Sequence, residues 1–259
     1  TALGEIAKAN PAHQENIIKN LIALLNDPKP FVRLAMVTAL GEIAKANPAH
    51  QENIIENLTP LLGDSSSYVR QSTVTALGEL AKENPAHQEN IIEKLTPLLE
   101  DSRTDVRLET IKALLPLVTP EQQAQLIKKL TPLLRDADPF VRLATVTALV
   151  PIAKENPEVL DPIIPRLTAL LNDPKPFVRL AMVTALVPIA KENPEVLDPI
   201  ITTLTDLLND ADPFVRLATA KALVLIAKEN PEVLDPIIPR LTALLNDPKP
   251  FVRLAMVTA

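Results

Sequence analysis

Hydrophobic side chains in this chain return at helical spacing. In the segment PFVRLAMVTALGEIAKA, residues 30–46, Val32, Met36, Ala39, Leu40 and Ile43 are apolar, and at about 100° per residue they share one side of an α-helix. The ends of that helix are also legible. Lys29 precedes a proline and is pushed out of the α region, whereas Pro30 suits a first helical turn. Asp27 stands in the preceding turn, where its carboxylate can accept a hydrogen bond from a free amide at the helix start. Asn47 followed by Pro48 predicts the other end, with Asn in a left-handed cap and a proline that cannot continue the turn. A partner helix is predicted from roughly Ala49 to Leu62. Ile54, Ile55, Leu58, Leu61 and Leu62 are its apolar positions, and Pro60 should bend it by removing one backbone donor. A stripe this wide is not covered by one helical pair, so neighbouring pairs must stack.

The sequence supplies those neighbours by repetition. Val-Arg recurs at Arg33, Arg70, Arg107, Arg142, Arg179, Arg216 and Arg253, at spacings of 37, 37, 35, 37, 37 and 37 residues. Residues 153–185 and 227–259 are identical throughout, which means recent duplication or deliberate design. The unit near residues 101–135 is irregular: it is 35 residues long and lacks the Asn-Pro cap. On one side of it the chain prefers GEIAKANPAHQENII, on the other IAKENPEVLDPII. No linker composition marks the change, so residues 1–259 are expected to form one continuous array in which two kinds of repeat meet. Thr258 has the phase of Thr1, so both ends are expected to fall inside a second helix. Three arrangements fit: a window from a longer array, a tail that completes the next molecule's head, or a closed ring. Each gives a head-to-tail contact.

The unit resembles the HEAT-repeat (armadillo-like) α-solenoids. The resemblance rests on the helix LTALL, the turn NDPKP, then VR and TALG, as at 167–179 and 38–41, and it covers the whole chain. It implies an all-α fold, a right-handed α-α superhelix of about seven two-helix repeats. It also implies a structural ladder between successive repeats, built from the turn Asp and the Arg six residues on. The matching residues are Asp27 with Arg33, Asp64 with Arg70, Asp101 with Arg107, Asp136 with Arg142, Asp173 with Arg179, Asp210 with Arg216, and Asp247 with Arg253. Two departures stand out. Leu-Gly of Leu40 and Gly41 becomes Leu-Val-Pro at Leu149 to Pro151 and at Leu186 to Pro188, and these prolines should kink their helices.

In that family the second helix lines the concave side. The outward positions of that helix here are Leu34, Gln71, Leu108, Leu143, Leu180, Leu217 and Leu254, then Thr38, Thr75, Lys112, Thr147, Thr184, Lys221 and Thr258 one turn on. Leu115, Val150, Val187 and Val224 follow. Rows of Leu and Val on an exposed groove exceed what solubility needs and suit an extended peptide or amphipathic helix. Burial between neighbouring repeats, or a consensus choice without a ligand, would also account for them.

Composition narrows the chemistry. The chain is 47% hydrophobic but only 2% aromatic, has no Cys, and carries a net charge of −6 with a pI near 5.2. Disulfides and thiolate metal sites are therefore absent, and an acidic chain is a poor partner for phosphate backbones, so no nucleic acid is expected. No apolar run approaches the roughly 18 residues of a membrane span. No signal peptide is visible, and the first residue is Thr, which leaves open that residues precede it. A soluble, cytoplasmic protein, or a recombinant or synthetic one, is the expectation. His13, His50 and His87 lie one repeat apart, hence roughly 10 Å by helix packing, too far to share a zinc ion. The family's iron hydroxylases carry His-Glu dipeptides, which this chain lacks. Lys8, Lys45, Lys82, Lys154, Lys191 and Lys228 form a row near helix C-termini, where they suit the helix dipole; adjacent glutamates dilute any acidic-partner ridge. The turn DSSSYVR lies far from any matching histidine, and no Gly-rich phosphate loop exists. Neither an enzyme nor a cofactor is expected. The reading is a scaffold that presents a groove to a protein or peptide, with head-to-tail assembly as the alternative.

Overall fold

The computed structural model describes residues 11–155, 160–192 and 197–258, and the elements there are helices and turns, with no strand. The chain divides into two compact units, Thr1–Gln123 and Ala124–Ala259.

In the first unit, helix α1 is Pro11–Ala23, α2 is Pro30–Ala46, α3 is Gln51–Leu58, α4 is Ser67–Glu83, α5 is Pro85–Leu95 and α6 is Thr104–Leu114. The 17-residue helices carry the packing: α2 lies on α4, and α4 on α6. Helix α2 has the bounds expected from its sequence. Met36, Ala39, Leu40 and Ile43 are buried as expected, while Val32 is half-buried. Val37 is also fully buried, as is Val74 at the matching position of α4, because a helix inside a stack meets neighbours on more than one side.

Two local expectations need correction. Asn47 is extended (φ −141°, ψ 96°) and not left-handed, and its Oδ1 accepts from the amide of Ala49 at the start of the next helical segment. With Pro48 immediately after it, the α conformation and its left-handed mirror are both disfavoured. Pro60 does not bend a continuous helix. The α-helix stops at Leu58, and Thr59–Gly63 winds as a 3₁₀ helix. The missing Pro60 N–H removes one α bond, Thr59 turns its hydroxyl onto the Ile55 carbonyl at 2.7 Å, and the chain tightens. Thr96–Glu100 and Thr131–Arg135 repeat that device.

Helix α7, Pro120–Leu130, follows the irregular repeat, whose long helix is cut to the 11 residues of α6. Pro116 stands where the longer helices continue. The chain leaves α6 by a turn closed by the Leu117 amide on the Leu114 carbonyl. In the second unit α8 is Pro139–Glu155, α9 Leu160–Ala169, α10 Pro176–Glu192, α11 Leu197–Leu207, α12 Pro213–Glu229, α13 Leu234–Ala243 and α14 Pro250–Thr258. Again the long helices pack in series, α8 on α10, α10 on α12 and α12 on α14. Pro151 and Pro188, expected to kink their helices, sit inside unbroken 17-residue elements.

Candidate protein-interaction face

The ladder residues meet, with a pairing that differs from the sequence match. Within a repeat, Arg33 Nη1 donates to the backbone carbonyl of Asp27 at 2.7 Å, not to its carboxylate. The rest of the guanidinium forks onto the next repeat: Nε and Nη2 each donate at 2.7 Å to the two carboxylate oxygens of Asp64. The same fork joins Arg70 to Asp101, Arg142 to Asp173, Arg179 to Asp210 and Arg216 to Asp247, at 2.6–2.9 Å. Arg107 and Arg253 make the in-repeat bond, to the carbonyls of Asp101 and Asp247. Each acceptor Asp also takes the backbone amide two residues on, as Asp173 takes that of Lys175 at 2.8 Å. One Asp thus caps its own turn and anchors the previous repeat. The planar guanidinium suits this two-point bond to a carboxylate.

The arginine fork holds the Asp64 and Asp247 carboxyls below the usual carboxylate range. At Asp101 and Asp173 burial pushes the carboxyl up, but the bonds from Arg70 and Arg142 and from a backbone amide outweigh it, and the net direction is again down.

A second inter-repeat contact was not anticipated. Gln51 is buried in the first unit, where its Nε2 donates to the Ala44 carbonyl and its Oε1 accepts from Asn84 Nδ2 at 2.7 Å. Gln14 and Asn47 repeat the contact one unit earlier, and Gln88 donates to the Leu117 carbonyl. The recurring Gln beside His in PAHQENII was the signal. Of the histidines, His13 is exposed and His50 and His87 are half-buried. No group of three potential metal ligands occurs among the described residues.

On the candidate face, Lys112, Thr147, Thr184 and Lys221 are exposed. Leu34, Gln71, Leu108, Leu143, Leu180 and Leu217 are half-buried while Leu254 is 64% exposed, so most of the apolar row is less open than its sequence suggests. In the first unit the face holds a cavity of about 380 Å³ between α2 and α4, lined by Leu34, Thr38, Gly41, Tyr68, Gln71 and Thr75 among others. A smaller one, about 170 Å³, lies between α4 and α6 beside Gly78, Lys82, Glu109 and Lys112. The floors are close helix contacts. A Cβ on Gly41 would stand 3.2 Å from Ala76 Cβ, and one on Gly78 only 2.9 Å from Ala113 Cβ.

The rim lysines differ in their engagement. Lys45 pairs with Glu42 at 3.2 Å and with Glu79, and Lys191 with Glu229 at 3.2 Å. Lys8 and the side chain of Lys154 lie outside the described residues.

The aromatic residues went unread in the sequence. All six, Phe31, Tyr68, Phe140, Phe177, Phe214 and Phe251, occupy one repeat position, the second residue of each long helix. Each is at least 37% exposed. Phe140 stacks on Phe177, and Phe214 on Phe251, both with centroids 5.3 Å apart. Their 37-residue recurrence in PFVR would have revealed them.

Stacked helical pairs joined by an Asp–Arg ladder define a HEAT-repeat α-solenoid. Models of HEAT repeats match residues 127–206 and 200–229. The model described as the adaptin N-terminal region matches residues 1–162, and the chain belongs to that family. No match is found among curated proteins. Among solved structures, one crystal structure of an engineered protein is similar at a TM-score of 0.55 and 22% identity, over 82% of this chain and 97% of that one. A second engineered protein gives 0.60 and 23%, over 99% of this chain and 71% of the other. At such identity the likeness concerns the fold. HEAT and adaptin-like repeats are generally scaffolds that bind proteins. No helix among the described residues is long and apolar enough to cross a membrane.

Proposed function

We propose that the chain is a non-enzymatic, protein-binding scaffold that receives a peptide or helix along the outward face of its long helices. We propose further that its repeats act as one continuous array over residues 1–259. The observation that carries the binding reading is the cavity of about 380 Å³ on that face, apolar and small-residue at its floor and rimmed by Tyr68, Glu42, Lys45 and Glu79. A groove with an apolar floor and a few polar rim groups suits main-chain and side-chain capture of a segment. The test is selection of peptides from a random library on the full chain. Thr38 is exposed and lines the cavity, so Thr38→Trp should fill it and weaken the selected peptides about tenfold or more, in line with loss of a pocket contact. Peptides that bind this variant unchanged would sink the reading.

A second reading, head-to-tail assembly of architectural purpose, draws on a different observation. Residues 169–185 and 243–259 are identical, yet Val183 is fully buried and Val257 is 75% exposed. Arg253 donates to the Asp247 carbonyl, and the Asp27 carboxylate accepts from the Lys29 amide. Leu254 and Val257 give α14 an apolar face, and a second copy docked there would bring its Asp27 to Arg253. Light scattering should show mass rising with concentration, Arg253→Glu should suppress it, and Asp27→Lys added to that variant should restore it. A mass that is constant with concentration argues against this assembly.

A further inference from the structure

The outward face differs between the units in its charge. In the first unit the long helices put Glu42, Glu79 and Glu109 on or beside that face, and two of them are engaged by Lys45. In the second, the helices read PFVRLATVTALVPIAKE, PFVRLAMVTALVPIAKE and PFVRLATAKALVLIAKE, where the one acid in each is the last residue. Of these terminal acids, Glu229 is paired with Lys191. The face of α12 shows what remains. Phe214 is 60% and Leu225 44% exposed, and Leu217 and Val224 are half-buried. Lys221 and Lys228 are exposed and have no ion-pair partner among the described residues. In a chain of net charge −6, this is an apolar strip with two exposed lysines, and the one acid of α12, Glu229, is engaged by Lys191.

We infer that the second unit's face takes an acidic amphipathic helix of a partner protein, with apolar residues on Leu217, Val224 and Leu225 and carboxylates on Lys221 and Lys228. The inference rests on the groove-binding reading above and adds the partner's chemistry. The two lysines are seven residues apart, about 10 Å along the axis at 1.5 Å per residue. Carboxylates two turns apart on an adjacent helix match that separation. The exposed Phe214 at the helix start extends the apolar contact beyond the lysines, and large aromatic surfaces dominate such anchoring. A basic partner would meet unpaired lysines across a desolvated face, and like charges set side by side exclude it.

The experiment uses the full chain and three labelled 20-residue amphipathic peptides with the same leucine face, bearing Glu, Gln or Lys at the flanking positions. Fluorescence anisotropy at low salt should give the Glu peptide about fivefold or more tighter binding than the Gln peptide, the range expected of two partly exposed ion pairs, and the Lys peptide the weakest. Lys221→Gln with Lys228→Gln should erase the Glu-over-Gln preference, while Lys128→Gln, in α7, should leave it intact. Added salt should narrow the preference, since the pairs are screened over about 10 Å at 0.1 M. Equal binding of the Glu and Gln peptides, or a preference that survives the double variant, overturns the acidic-partner inference and leaves the groove reading standing. Failure of all three peptides to bind also overturns it, and the library selection with Thr38→Trp then decides the groove reading separately.

Discussion

At the scale of single residues, the ladder aspartates do the most. Asp173 is buried, forks with Arg142 and caps its own turn. Asp173→Ala leaves a buried guanidinium unpaired, so a loss of about 3 kcal/mol is expected from urea denaturation. Asp206→Ala, at an exposed position, should change stability by about 0.5 kcal/mol or less. The same carboxyls set an acid limit. Their pKa values are depressed in the folded chain, so the stability they contribute is fully present above the unfolded carboxylate value, about 3.9. It is lost as the pH falls through the folded values. The urea midpoint should therefore hold from neutral pH down to about 5 and then fall. Asp64→Asn with Asp247→Asn should lower the midpoint at neutral pH and flatten that acid limb. An unchanged limb would assign it to other carboxylates. The resemblance to HEAT repeats named these residues and placed the ladder between successive repeats, but matched each Asp with the Arg six residues on. Carboxylate and guanidinium meet across 31 residues, and only superposed repeats bring such positions together.

At the scale of elements, helix ends were legible because proline acts locally. Pro30, Pro139, Pro176, Pro213 and Pro250 each open a long helix. The fate of prolines inside helices was less legible, since Pro60 changes the winding while Pro151 and Pro188 do not interrupt theirs. Between α4 and α6, Gly78 lies in close contact with Ala113. Replacing a mid-helix glycine by alanine gains about 1 kcal/mol of helix propensity. At Gly78 the new Cβ would stand 2.9 Å from Ala113 Cβ, an atom fixed to its own backbone. The helices would have to part, and overpacking of this kind costs about 1–3 kcal/mol, so the steric term wins. Gly78→Ala should lower thermal stability, and Ala113→Gly added to it should recover part of the loss. Gly63, with nothing near its would-be Cβ, should accept alanine without loss. Should Gly78→Ala stabilise instead, α4 and α6 are less tightly seated than described.

At the scale of the whole molecule, repeats that contact only their neighbours unfold as a chain of coupled units. If residues 1–259 act as one array, urea unfolding followed by circular dichroism should be a single transition, and Leu77→Ala in the first unit should shift all of it. Two resolved transitions, only one of them moved by that substitution, would separate the units. Leu77 is fully buried in α4, and such truncations cost about 2–5 kcal/mol, enough to move a coupled transition visibly.

By itself the amino-acid order determined the helices, the starts of the proline-led long ones, the 37-residue repeat, the irregular member and the residues of the ladder. The helices and the repeat follow from periodicity and from local backbone restrictions, which act within a few residues, whereas the ladder residues are what the HEAT-repeat resemblance implies. Only the tertiary structure decided who pairs with whom: Arg33 with Asp64, Gln51 with Asn84, Gly78 against Ala113. It also decided that the leucine row is half-covered, while the phenylalanines, unremarked in the sequence, stand out into solvent. Exposure depends on what the next repeat places alongside, and that distance lies in space, not along the chain.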